Sequence, residues 1–242
     1  MDTTKQPVAI TGGSSGIGAA LAKSFSESGH PVILLARRLD RLEALNLPNS
    51  LSLKVDVTDI AALRAAIKTG EEQFGPLGTM INNAGLMQLS DLLHQDPAEW
   101  KAMLDVNVLG VLNGCRVALE SMTQRQTGTI INVSSVAGRK SFPNHVAYVG
   151  SKFAVHGISE NLREEVAGQN IRVSVIAPGA VETELLSHTN SADVVAGYED
   201  WKKSIGGALD PSAVVAAVRY VHDQPQAVCV REVVLASTLQ AA

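Results

Sequence analysis

Short apolar runs alternate with longer segments whose apolar residues recur every three to four positions, almost from end to end of the chain. Residues 8–11, 32–36, 51–55, 80–82, 129–133, 172–176 and 228–233 read as strands. They are short and largely apolar, the pattern of strands buried on both faces. Residues 17–28, 39–45, 60–74, 97–123, 145–167 and 211–222 read as helices. Gly29 stops the first of these, and Asp210 precedes Pro211 as a cap before proline at the first helical position. Such alternation predicts βαβ crossovers and an α/β fold: a parallel sheet with helices on both faces, in one domain over residues 1–242.

Residues 182–207 break the rhythm, being polar, glycine-dotted and only weakly periodic. A connection this long inside a compact domain is usually a functional loop. It follows the carboxyl end of a strand, where open α/β sheets bind ligands, so a substrate lid is expected rather than two idle surface helices.

Composition narrows the class. The chain is 45% hydrophobic and 18% charged, enough to bury a large core. A net charge of −4 without long basic runs argues against nucleic-acid and membrane-surface partners. The N-terminus (MDTTKQPVAITGG) has no basic segment followed by an apolar one, and no apolar run reaches 18 residues. With two cysteines, Cys115 and Cys229, a disulfide stays open, but a reduced cytoplasmic protein is expected. The six histidines form no His-x-x-x-His pairing, and no Cys-x-x-Cys occurs, so no metal site is expected.

The first strand-to-helix turn carries chemistry: Thr11, Gly12, Gly13, Ser14, Ser15, Gly16, Ile17, Gly18. Glycines there permit positive φ and close backbone approach, and the helix amino end presents free N–H groups to a pyrophosphate. The spacing Gly-x-x-x-Gly-x-Gly is neither G-x-G-x-x-G nor a Walker loop. An acidic residue some 20 positions on would bind a ribose 2′-OH, whereas arginine there accommodates a 2′-phosphate. Counting from Gly18 reaches Ala36, Arg37 and Arg38, which favours NADP(H) over NAD(H), with Asp40 turned away in the next helix.

A second constellation lies at residues 134–152 (SSVAGRKSFPNHVAYVGSK). Tyr148 and Lys152 are four apart, on one face of a helix. An ammonium beside a phenol lowers a pKa otherwise near about 10, and a phenol so tuned passes protons. A serine hydroxyl nearby can hold a substrate oxygen.

With these motifs in order, joined by Asn82-Asn83-Ala84-Gly85, Asn107 and Pro178-Gly179, the chain resembles the short-chain dehydrogenase/reductase family over essentially its whole length. The resemblance implies a Rossmann-type sheet of seven parallel strands in the order 3-2-1-4-5-6-7. It implies a nicotinamide cofactor and the catalytic set Asn107, Ser135, Tyr148 and Lys152. Ser135, thirteen residues ahead of the tyrosine, is the family's serine; Ser134 would serve backbone hydrogen bonding. Asp56 and Val57 would meet the adenine, although Asp56 is equally placed to cap the next helix. Asn83, Ala84 and Gly85 would approach the adenine ribose, or Asn83 would serve chiefly as a structural tie. Asn107 would kink its helix and hold a water leading from Lys152, or be a buried, satisfied amide. Pro178, Gly179, Val181 and Thr183 would pass beside the nicotinamide.

Met87, Leu89, Val136, Arg139, Phe142, His145, Gly179, Leu185, Leu186 and Trp201 are expected to face the substrate, a medium-sized carbonyl or secondary-alcohol compound. The runs ARRLDRLEAL and AVCVREVVLAST resemble a subgroup with NADP-dependent 3-hydroxy-acid and serine dehydrogenases. There Arg139 would either pair with a substrate carboxylate or be a solvated surface charge. A non-catalytic NADP-binding sensor on the same fold is the alternative, and its mark would be loss of the serine, tyrosine or lysine. All three are present. The resemblance also implies a homotetramer or homodimer, joined through helices 97–123 and 145–167, with helix 211–222 and the last strand as a second contact.

Overall fold

The computed structural model describes residues 5–241. Residues 1–4, part of the stretch in which the sequence carries no leader pattern, and residue 242 lie outside this range. In chain order the elements are β1 (Val8–Thr11), α1 (Gly16–Glu27), β2 (Val32–Ala36), α2 (Leu39–Glu43), β3 (Ser50–Lys54), α3 (Ile60–Phe74) and β4 (Thr79–Asn82). Then follow α4 (Pro97–Leu104), α5 (Gly110–Arg125), β5 (Gly128–Val133), α6 (Val146–Val166), β6 (Ile171–Pro178), α7 (Ala192–Ser204), α8 (Pro211–His222) and β7 (Glu232–Leu235).

The seven strands form one parallel sheet in the order β3-β2-β1-β4-β5-β6-β7, the expected Rossmann-type topology. The order reverses between β1 and β4, and open α/β sheets bind ligands outside the carboxyl ends at such a reversal. Alternate residues of each strand face opposite layers. Ala9, Ile33 and Leu35 pack with α3, α5 and α6, while Val8, Ile10, Val32 and Leu34 pack with α1 and α8. Burial on both faces explains why the strands read as continuous apolar runs.

The last strand differs from its expected span. The apolar run at 228–233 does not form it; pairing begins with Glu232 opposite Val175 and ends with Leu235 opposite Pro178. Val228 lies in a turn closed by its own N–H to Pro225 O, and its carbonyl faces Arg172. Arg172, buried at the start of β6, also donates to Gln224 O, Val221 O and His222 O, so it holds the end of α8 and the chain just beyond.

The expected helix 97–123 is interrupted. Residues Asp105–Leu109 form a π-type turn, with Gly110 N–H donating to Asp105 O. The combined helix, Pro97–Arg125, contains an 18-residue window of mean hydropathy 1.3, a length and composition that a membrane span and a core helix share. Almost half of that window is buried inside the fold, including Met103, Val111, Cys115 and Ala118. Leu104, Leu109 and Leu112 remain exposed on the same helix, as do Val146 and Phe153 on α6. Cys115 and Cys229 are both free, and burial pushes the Cys115 thiol up to about 12.

His222, at the end of α8, meets Thr79 Oγ1 at 3.1 Å and packs edge-on against Phe25 and His30. Burial, with His30, Arg219 and Arg172 acting in the same sense and Asp223 opposing, lowers its pKa to about 4. Between the unfolded value near 6.5 and about 4, the unfolded chain binds the extra proton, so stability falls as pH falls. His222 accounts for about 3 kcal/mol of acid sensitivity across that window. His222→Gln is expected to flatten the decline in denaturation midpoint from pH 6.5 to 4; a decline as steep as in the parent chain would exclude His222 as its source.

Candidate active site

The turn after β1 packs directly on the end of β4. Gly12 has φ +68°, and a Cβ there would lie 2.8 Å from Ala84 Cα. Thr11 Oγ1 accepts from the N–H groups of Asn83 and Ala84, and Asn83 Nδ2 donates to Thr11 O, each at 3.0 Å. Asn83 is therefore a tie between strands as well as a wall of the site. Ser15 occupies the cap position of α1, yet its side chain makes no cap bond and instead accepts from Arg38 at 2.8 Å. The amino end of α1 is left without a side-chain cap and borders the cavity.

That cavity, of about 760 Å³, runs along the carboxyl edge of the sheet. It is lined by Gly12, Ser14, Ser15, Gly16, Ile17, Arg37, Arg38, Asp56, Val57, Asn83, Ala84, Gly85, Pro178, Gly179, Val181 and Thr183. Of the expected cofactor residues, Gly18 alone does not line it. A Cβ on Gly18 would stand 2.2 Å from Gly12 O, so this glycine lets helix and strand approach. Asp56 accepts from Thr58 N and Oγ1, while the cap of α3 is Asp59; of its two readings, Asp56 has the wall position rather than the cap. Asp40 is exposed on α2, outside the cavity.

Ser135, Tyr148 and Lys152 line the same cavity further along. Ser135 follows β5 and accepts from Ala137 N in a short 3₁₀ turn, whereas Ser134 donates to Lys152 O, the backbone role expected for it. His145 stands just before α6, so Tyr148 falls in the first turn and Lys152 one turn on. Lys152 Nζ is buried, donates to Val133 O at 3.1 Å and lies 5.7 Å from the Tyr148 ring centre.

The electrostatics correct one expectation. Burial pushes the Tyr148 phenol above its usual value, with the Ser135 hydroxyl acting weakly the other way, so the net shift is upward. Burial also brings Lys152 down to about 8. Desolvation of both groups outweighs the attraction that their helical spacing suggests. A phenol in this setting keeps its proton at neutral pH, and the lysine exchanges one close to it.

Asn107 lies in the π-type turn, buried behind the cavity rather than on its wall. Its Oδ1 accepts from Leu86 N and its Nδ2 donates to Leu86 O, each at 2.8 Å, and to Ser151 Oγ at 3.0 Å. The amide is thus satisfied, and the helix is deformed where it sits.

The far end is largely apolar, although Asp193, Glu199 and Lys202 of α7 also line the cavity. Met87, Leu89, Val136, Phe142, His145, Gly179, Leu185, Leu186 and Trp201 line it as expected. Arg139 does not: it turns away to pair with Glu232 of β7, which also meets His156. Neither of its sequence readings, substrate contact or free surface charge, included that partner. Tyr198, three residues before Trp201 on α7, completes a ring of side chains with Phe142, His145 and Trp201, centroids 5.2–6.3 Å apart. Its helical spacing from Trp201 was a signal for it. Gln240, whose Oε1 accepts from Ala180 N, and His188 carried none.

Residues 6–193 match the short chain dehydrogenase family, and the chain belongs to it. It is an oxidoreductase of that family. It is 40% identical over 239 residues to an uncharacterized oxidoreductase of Staphylococcus saprophyticus, covering 96% of each chain. The closed form of a serine dehydrogenase complexed with NADP+ superimposes with a TM-score of 0.91 at 28% identity, over 98% of this chain and 97% of that one. An alcohol dehydrogenase from the archaeon Thermococcus sibiricus, complexed with 5-hydroxy-NADP, gives 0.86 at 26% identity over 98% and 99%.

Proposed function

We propose that this chain uses NADP(H) to transfer hydride between the nicotinamide and a carbonyl or secondary-alcohol substrate. One observation carries the reading: a single cavity joins the glycine-rich turn and Arg38 at one end to Ser135, Tyr148 and Lys152 at the other. The residues present fit such a cofactor. Gly12 leaves backbone exposed where a Cβ has no room, the amino end of α1 is open to a pyrophosphate, and Arg38 with Ser14 and Ser15 forms a donor set for a 2′-phosphate. Neutral Ala36 followed by Arg37 and Arg38 favours NADP over NAD. Asp56 and Val57 would hold the adenine, Asn83, Ala84 and Gly85 its ribose, and Pro178, Gly179, Val181 and Thr183 the nicotinamide end.

The bound nicotinamide supplies or accepts the hydride. The protein positions the substrate and moves the proton. Ser135 Oγ and the Tyr148 hydroxyl hold the substrate oxygen, and Tyr148 donates its proton as the carbonyl becomes an alcohol. Lys152, protonated below about 8, supports the phenolate left behind and reaches the cofactor's ribose. Asn107 keeps the π-type turn in place behind the cavity through its bonds to Leu86 and Ser151. Residues 182–207 close over the substrate as a lid.

The apolar lining supports a medium-sized ketone or aldehyde. The Arg139–Glu232 pair leaves no support for Arg139 as a carboxylate anchor. Free cysteines support a cytoplasmic location. The exposed apolar side chains of α4, α5 and α6 support a homodimer or homotetramer, with α8 and β7 as a second face.

Tyr148→Phe is expected to bind NADPH nearly as the parent chain does and to lose reduction by a factor of about 100 or more; retained turnover would sink the assignment. In the parent chain, reduction should decline as pH rises through about 8, because Lys152 loses the charge that supports the phenolate. A 3-hydroxy acid and its methyl ester should differ to the same extent in Arg139→Ala and in the parent chain, and an added discrimination in the parent would restore Arg139 as a carboxylate reader. Sedimentation at micromolar concentration should show a dimer or tetramer; a monomer would remove the oligomer.

A further inference from the structure

The cofactor end of the cavity already holds an anion, and it belongs to the protein. Glu184 receives Arg38 Nη1 at 3.1 Å and Arg41 Nη1 at 2.8 and 2.9 Å. Arg38 Nη2 meanwhile donates to Ser14 and Ser15 Oγ. Two guanidiniums gathered on one carboxylate, with two hydroxyls beside Arg38, make the donor set of a phosphomonoester site. Arg41, on α2, lies three residues beyond Arg38 and falls outside the pair read from the sequence. The arginines hold the Glu184 carboxyl below the usual carboxylate range, so it is ionised at neutral pH.

Glu184 is placed to matter elsewhere. It opens the 3₁₀ turn Glu184–His188, directly after Thr183 and before Leu185 and Leu186, which line the apolar end. The pair therefore ties the lid to the phosphate-binding end of the cavity.

We propose that Glu184 is a built-in stand-in for the cofactor's 2′-phosphate, holding the lid to Arg38 and Arg41 until that phosphate displaces it. The phosphate that distinguishes NADP from NAD then also releases the lid, and Glu184 and Arg41 become determinants of cofactor choice. The inference rests on the dinucleotide reading of the cavity. A carboxylate and a phosphate repel each other at one guanidinium pair, and the phosphate has more charge and a third acceptor oxygen. The Glu184 side chain is 52% exposed, and exposed ion pairs change an equilibrium by a factor of only about two to five. A phosphate overcomes a latch of that strength. A dinucleotide without it leaves Glu184 in place.

The parent chain, Glu184→Gln and Arg41→Ala are titrated calorimetrically with 2′,5′-ADP, 5′-ADP, NADP+ and NAD+. The lid is read separately by the rate of tryptic cleavage at Lys202 and Lys203 on α7. In the parent, 2′,5′-ADP should speed this cleavage and 5′-ADP should not, although neither probe carries a nicotinamide to touch the lid. Glu184→Gln should bind 2′,5′-ADP and NADP+ about two to five times more tightly, leave 5′-ADP and NAD+ unchanged, and be cleaved rapidly without ligand. Arg41→Ala should weaken 2′,5′-ADP alone. If the parent prefers 2′,5′-ADP to 5′-ADP but Glu184→Gln alters neither affinity nor cleavage, the latch is overturned and the cofactor reading stands. If the parent binds the two probes alike, the 2′-phosphate site fails and the latch with it.

Discussion

The backbone of β1 and that of β4 meet at Thr11, whose hydroxyl accepts two N–H groups from Asn83 and Ala84 while its carbonyl accepts the Asn83 side chain. This seam lies where the strand order reverses, and both halves of the sheet hang from it. It works only because Gly12 and Gly18 carry no Cβ: one would meet the backbone of residue 84 and the other the carbonyl of residue 12. A single steric condition thus sets the angle at which α1 leaves the sheet and aims its uncapped amino end along the cavity. The same condition brings Gly85 within reach of both Asn107 and Lys152, where a Cβ would stand 3.6 and 3.8 Å from their side-chain atoms.

A second set of polar contacts fixes the other half. Asn82 donates to Asn132, and Asn132 to Ser159, so a buried amide ladder runs from β4 through β5 into α6. Buried amides are costly unless satisfied; Asn132 is bonded on both sides, whereas Asn82 Oδ1 has no partner among the described residues, and the Asn132–Ser159 bond holds α6 to the sheet. Ser134 adds a bond to Lys152 O two turns earlier on the same helix. Tyr148 and Lys152 are therefore held by the sheet behind them, and the desolvation that keeps the phenol protonated follows from that close packing. Stability and proton chemistry share one cause here: a dry junction of β5 and α6.

Features set by local chemistry were legible in the chain. Strand and helix positions followed from apolar runs, the glycine turn and the Tyr148–Lys152 spacing from motif geometry, and the strand order and Ser135 from the family resemblance. What stayed hidden depended on partners distant in sequence. Arg139 reads as a surface charge or a substrate contact until Glu232, 93 residues away, is brought beside it. The apolar run at 228–233 looks like a strand, but its first carbonyl faces Arg172, and pairing starts later. The phenol's net shift reversed because spacing reveals a neighbouring charge but not how much water both groups lose. Gly18 belonged to the right motif for a packing reason, and Arg41 and Glu184 became visible only together.

Five of the six residues 183–188 line the cavity, from its cationic end to its apolar one. Thr183 packs over Gly16, where a Cβ would meet its methyl at 3.0 Å. Glu184 turns to the arginines, and Leu185 and Leu186 pack into the apolar cluster with Met87, Tyr148 and Tyr198. His188 closes the turn beside the same cavity. Such a short tether cannot move at one end and stay fixed at the other. Its carboxylate is exposed and weakly held, whereas its leucines sit in a packed cluster, so rearrangement is easiest where charge rather than packing holds it. The cationic end of the cavity is consequently the end from which the lid is set in motion, and the apolar end is where that motion is felt.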